Sequence, residues 1–71
     1  GLTIRVEDGV YFVEAPWLLK ILQRTDLDDY ESLQYFQRVL TSSGIIDALR
    51  ERGINEGDTV SIYELEFDFV N

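Results

Sequence analysis

Apolar and polar residues alternate at both ends of this chain and switch to helical spacing in its middle. Leu2, Ile4 and Val6 alternate with Thr3, Arg5 and Glu7, the period-two pattern of a half-buried strand. Asp8-Gly9 follows, a pair that tolerates positive φ at both central positions of a hairpin turn, and Val10 to Glu14 form the returning strand. A two-residue turn there sets Val6 opposite Tyr11 and Ile4 opposite Val13 on the face turned to the core. The same register pairs Arg5 with Phe12 on the other face.

Pro16 suits the first turn of a helix, where its missing N–H costs nothing. Trp17, Leu18, Ile21 and Leu22 follow at helical spacing to about Thr25. Asp28-Asp29-Tyr30-Glu31, a cap residue with a glutamate three positions on, resembles a capping box. Leu33, Phe36, Val39 and Leu40 then trace an apolar stripe, and Phe36 is expected in the core. Ser42-Ser43-Gly44 interrupts the pattern before a short third helix from about Ile45 to Arg52, which buries Ile46 and Leu49. Gly53 stands where a left-handed C-cap residue belongs, with Ile54 available for the hydrophobic contact beyond it.

Gly57-Asp58 is a turn, after which Val60 and Ile62, then Leu65, Phe67 and Phe69, alternate with polar residues. A turn at Tyr63-Glu64 sets Ile62 opposite Leu65 and Val60 opposite Phe67. Tyr-Glu is poor chemistry for a primed turn, so a longer or bulged loop is the alternative. The order β-β-α-α-α-β-β predicts one small α+β domain over residues 1–71, with an antiparallel or mixed four-stranded sheet and its helices on one face.

Composition narrows the function classes. The chain is 45% hydrophobic with nine aromatics (four Phe, four Tyr and Trp17), too apolar for a disordered tail. At 71 residues its core is small and leaves little room for a closed substrate cavity. No apolar run approaches the ~20 residues that span a bilayer, so no membrane insertion is expected. Without cysteine there is no disulfide framework, and a cytoplasmic protein is the default reading. Fourteen acids against six bases leave a formal net charge of -8, a field that repels phosphate backbones and argues against direct nucleic-acid binding. The same charge serves solubility and suits a protein partner, and a monomer is expected.

The residues that catalytic and ligand-binding motifs require are missing or out of place. A phosphate cradle needs a glycine-rich loop with a lysine and a hydroxyl, and the one lysine, Lys20, lies inside an amphipathic helix. Zinc sites draw on His and Cys, both absent. Asp26, Asp28, Asp29 and Glu31 crowd together, but a calcium loop there would need an oxygen ligand at Tyr30, glycine at Glu31 and glutamate at Gln37. The cluster reads as acids set against a helix N-terminus. No catalytic, cofactor-binding or metal-binding residue is therefore assigned, and the chain is expected not to be an enzyme by itself. Trp17 is expected in the core. The hairpin register places Phe12 and Val10 beside Arg5, away from the helical layer. Arg5, Val10 and Phe12 are thus the candidate partner surface, unless a loop or the C-terminal residues cover Phe12.

The spacing of several elements resembles the C-terminal domain, or OCT domain, of Obg-family GTPases. Thr25-Asp26-Leu27 is similar to that family's Thr-Asp-aromatic segment, with Leu27 in place of the aromatic. Phe36, Leu40 and Gly44-Ile45 fall where the family has Phe, Leu and Gly-Val. Leu49, Gly53-Ile54, Gly57-Asp58, Val60, Ile62 and Glu66-Phe67 complete the pattern, with Tyr63 where glycine is expected in the turn. The resemblance implies a non-catalytic regulatory or interaction domain of a cytoplasmic, ribosome-associated GTPase involved in large-subunit assembly and stress control. GTP and magnesium would belong to the parent protein, with no cofactor in this segment. Neither the glycine-rich N-terminal domain nor the GTPase domain of that family is represented in these residues. The implied partners are proteins: the parent's own GTPase domain, the ribosome or a regulatory protein. The alternative is a free-standing acidic adaptor that binds a basic protein or peptide patch.

Overall fold

The two hairpins meet in one sheet, held together by a parallel pairing between them. A computed structural model describes all the residues, Gly1 to Asn71, with strands β1 (Thr3–Glu7) and β2 (Val10–Glu14), helices α1 (Pro16–Gln23), α2 (Tyr30–Ser42) and α3 (Ile45–Glu51), and strands β3 (Thr59–Ile62) and β4 (Leu65–Asp68). The strands lie side by side in the order β1-β2-β3-β4. β1 and β2 pair antiparallel, β2 and β3 parallel, and β3 and β4 antiparallel, so the sheet is mixed. Parallel neighbours need a long crossover, and the three helices between β2 and β3 supply it.

Asp8 and Gly9 adopt φ values of 50° and 76°, the sign pattern of a type I′ turn. The register that follows is the one the sequence predicts, Val6 opposite Tyr11, Ile4 opposite Val13 and Arg5 opposite Phe12. The second hairpin closes at Tyr63-Glu64 with Ile62 opposite Leu65, so its loop has two residues and no bulge. Tyr63 has φ 56° and Glu64 does not turn positive, a pattern of type II′ in which glycine ordinarily takes the first place.

The central strands bury their helix-facing side chains completely, whereas the edge strands do so in part. Tyr11, Val13, Val60 and Ile62 pack against Leu18 of α1, Phe36 and Leu40 of α2, and Ile45 and Leu49 of α3. Ile4, Leu65 and Phe67 on the edges are half-buried. Val6, expected to face the core, remains 39% exposed because it sits on the edge strand next to the hairpin tip. Trp17 departs from expectation too. It is 38% exposed, since the buried stripe of α1 centres on Leu18, Ile21 and Leu22 and leaves Trp17 at its rim. In α3 the pair Ile45 and Leu49, four apart on one face, is buried, while Ile46 is only half-buried.

Helix ends show which local signals prevailed. The cap of α2 is Asp29 rather than Asp28, and its carboxylate accepts from the Ser32 N–H at 2.9 Å. Ser32 Oγ in turn accepts from the Asp26 N–H at 2.9 Å, so a serine takes the place expected of Glu31 in bracing the helix start. α1 ends at Gln23, two residues short of Thr25. At the end of α3, Gly53 has φ 86°, its N–H donates to the Arg50 carbonyl, and the Ile54 N–H donates to the Leu49 carbonyl. Those two bonds, with Ile54 and Leu49 both buried, make the predicted Schellman ending.

Candidate functional site

Because all three helices cover one face, the other face of the sheet is left to the side chains that alternate away from the core. Register aligns them in rows across the four strands. Arg5, Phe12, Ser61 and Glu66 form one row, and Glu7, Val10, Thr59 and Asp68 the next. The three residues singled out from sequence, Arg5, Val10 and Phe12, therefore lie together in the β1–β2 half of this face.

Phe12 sits beside Arg5 in its row. It is half-buried, and the Arg5 guanidinium lies 4.3 Å from its ring centroid. A cation over an aromatic face at this range contributes about 0.5–1 kcal/mol at an exposed site. Arg5 is also ion-paired through Nη1 with Glu7 Oε2, two residues along the same strand and on the same face. Both side chains are more than half exposed, which limits what the pair adds to stability. Val10 is half-buried, and Ser61, next to Phe12 in its row, is buried. Glu7, Glu14, Glu66 and Asp68 surround this centre, so the face is an aromatic and aliphatic patch with one cation and an acidic margin.

The acidic run before α2 serves that helix. Asp29 caps it, Asp26 Oδ1 accepts from the Asp28 N–H at 3.0 Å, and Glu31 lies in the first turn against the helix dipole. Asp58 is a turn residue, as its sequence context indicates: its carboxylate accepts from the Asn55 N–H and its carbonyl from the Phe69 N–H. No group of three or more acidic side chains comes together in a way that could hold a metal ion. No helix is long and apolar enough to cross a membrane.

A second feature was not legible in the sequence. Beneath β4 an open groove of about 550 Å³ runs between that strand and α2, with α3 at one end. Its apolar wall includes Leu33, Phe36 and Leu40 on α2 and Phe67 on β4. The alternating pattern marks Leu65 and Phe67 as inward-facing but does not indicate that the helices leave a gap beside them.

Residues 2–69 match a family described as a domain of unknown function, DUF1967. The chain is 59% identical over 66 residues to GTPase Obg of Ruminiclostridium cellulolyticum, which covers 93% of this chain and 16% of that protein. It is 54% identical over 70 residues to GTPase Obg of Clostridioides difficile, covering 99% of this chain and again 16% of the relative. GTPase Obg of Acetivibrio thermocellus is 53% identical over 66 residues with the same shares as the first. The chain thus spans about one-sixth of the length of the curated relatives that it matches. Its mixed four-stranded sheet, its three helices and this similarity agree with the resemblance carried by the Gly-Ile, Gly-Asp and Glu-Phe spacings, and the chain belongs to the DUF1967 family, the C-terminal domain of Obg GTPases.

Proposed function

We propose that this chain is a non-catalytic regulatory domain of an Obg-type GTPase, acting by docking its helix-free sheet face onto a protein partner. The observation that carries this reading is the row that places a half-buried Phe12 under Arg5, beside Val10, on the face that no helix covers. Aromatics ringed by charge are the usual anchors of such contacts. GTP binding and hydrolysis, with magnesium, belong to the parent protein, and this segment supplies no nucleotide ligand of its own. The partner is the parent's GTPase domain, the ribosome or a regulatory protein in the cytoplasm, and the work served is large-subunit assembly and stress control. The acidic margin of the face favours a basic patch on that partner. The free-standing adaptor reading shares this chemistry, but the similarity to longer GTPases favours a domain acting within such a protein.

The test is full-length GTPase carrying Phe12→Ser or Arg5→Glu in this domain, compared with the wild type and with a version lacking residues 1–71. Cosedimentation with large ribosomal subunits and the GTP hydrolysis rate are read alongside the domain's melting temperature. The proposal expects both substitutions to reproduce the deletion while the melting temperature stays within a few degrees. Loss of contact only in proportion to unfolding would make Phe12 a structural residue and remove the reading.

A further inference from the structure

The sheet has two outer edges, and they are not alike. In a two-residue hairpin the residues flanking the turn exchange hydrogen bonds, and the next pair points its backbone groups away. On β1 this leaves the backbone of Ile4 and Val6 outward, and Arg52 Nη1 reaches across from the end of α3 to donate to the Ile4 carbonyl at 2.9 Å. On β4 it leaves Glu66 and Asp68 with N–H and C=O groups outward, on a strand paired with β3 alone. The adjoining bonds agree with this phase, because the Phe69 N–H turns inward to the Asp58 carbonyl at 2.8 Å.

Consecutive residues from Leu65 to Val70 line the groove, including Glu66 and Asp68, whose side chains stand on the opposite face of the sheet. The groove therefore runs along the edge of β4, with that strand as one wall and α2 as the other. We propose that it is a docking site for an extended peptide segment of alternating apolar and basic residues, which joins β4 as a fifth strand. Unpaired edge groups supply main-chain hydrogen bonds to such a segment, and alternate side chains supply specificity. In that position every second side chain enters the groove between β4 and α2, against the half-buried Leu33, Leu65 and Phe67. The intervening side chains lie on the other face beside Glu66 and Asp68, where lysine or arginine is the complement. A second copy of the chain is disfavoured at this edge, because pairing β4 with β4 would set those carboxylates against each other. The site is separate from the Arg5–Phe12 patch, which lies across the sheet on the β1–β2 half, and it does not depend on that patch being functional.

The probe is a synthetic peptide of about eight residues alternating valine and lysine, long enough to cover a four-residue edge strand with a margin. A valine–glutamate peptide of equal length is the control. Titrated into the ¹⁵N-labelled 71-residue chain, the lysine peptide should give saturable shifts and slowed amide exchange at Glu66 and Asp68, with matching shifts at Leu33 and Phe67. Binding should weaken as salt is raised. The double substitution Glu66→Lys, Asp68→Lys is at exposed positions that the fold does not bury, and it should weaken binding about tenfold or more. Glu66→Pro, which removes one outward N–H, should abolish the slowed exchange; should that variant fail to fold, the lysine pair carries the test. Three results would overturn the proposal: equal affinity for the glutamate peptide, shifts centred on Val10 and Phe12, or no saturable shift at Glu66 and Asp68 at millimolar peptide.

Discussion

The phenolic oxygen of Tyr63 accepts a hydrogen bond from the backbone N–H of Ala15 at 2.8 Å, joining the β3–β4 turn to the start of α1. Ala15 is fully buried and is the N-cap of α1, and as alanine it has no side chain with which to cap. Tyr63 pays a conformational penalty at φ 56°, where glycine is usual, and the bond gives it a reason to be there. Glycine at this position would relax the turn and leave the Ala15 donor without its phenol.

Tyr63→Phe separates these two effects. It keeps the ring and the backbone strain and strands a buried donor, so it should cost about 1–3 kcal/mol in urea unfolding. A loss below about 0.3 kcal/mol would mean that water replaces the phenol and that the bond does not tie the turn to the helix.

The cap register of α2 can be read by paired substitutions. Asp29→Ala removes the acceptor for the Ser32 N–H and should destabilise the domain by about 1 kcal/mol, whereas Asp28→Ala should change it by only a few tenths. The reverse ranking in thermal unfolding would move the helix start back to the capping box that Asp28 and Glu31 suggest.

Phe36 is the largest fully buried side chain. Phe36→Ala should cost about 3–5 kcal/mol, enough to unfold much of a population whose total stability is of the order of 5–15 kcal/mol. Phe36 also borders the groove under β4, so this variant should loosen that wall; Leu33→Ala, at a half-buried site on the same side, should cost less. Equal losses would show that the apolar stripe of α2 is shared evenly between core and groove.

At the end of α3 the φ of 86° at Gly53 is reserved for glycine by the Cβ of any other residue, although nothing lies within 4 Å of where that Cβ would stand. Gly53→Ala should therefore destabilise by about 1–2 kcal/mol through backbone strain alone. Gly53→Asn should recover part of that loss, because asparagine tolerates the left-handed region better than alanine. Chemical denaturation of the two variants in parallel gives the comparison, and equal stabilities would remove the strain argument.

Local chemistry determined much of this protein. The Asp8-Gly9 turn, the period-two runs on either side of it and the Schellman ending at Gly53-Ile54 each act over a few residues, and the structure follows them. The placement of Arg5, Val10 and Phe12 on one face followed as well, since register alone decides which way a strand residue points. What tertiary structure decided lies where distant segments compete for the same space. Period two says nothing about which strands become neighbours, so the parallel β2–β3 pairing, and hence a mixed sheet, emerged only on assembly. Ser32 braces the α2 start that Glu31 was expected to brace, and Trp17 yields the core to its neighbour Leu18 because α1 settles with its buried stripe turned slightly past the tryptophan. Tyr63, a poor turn residue by local preference, is stabilised by a backbone donor 48 positions away. A bond of that kind is invisible to any window of sequence, because its energy is available only once the chain has brought its two ends together.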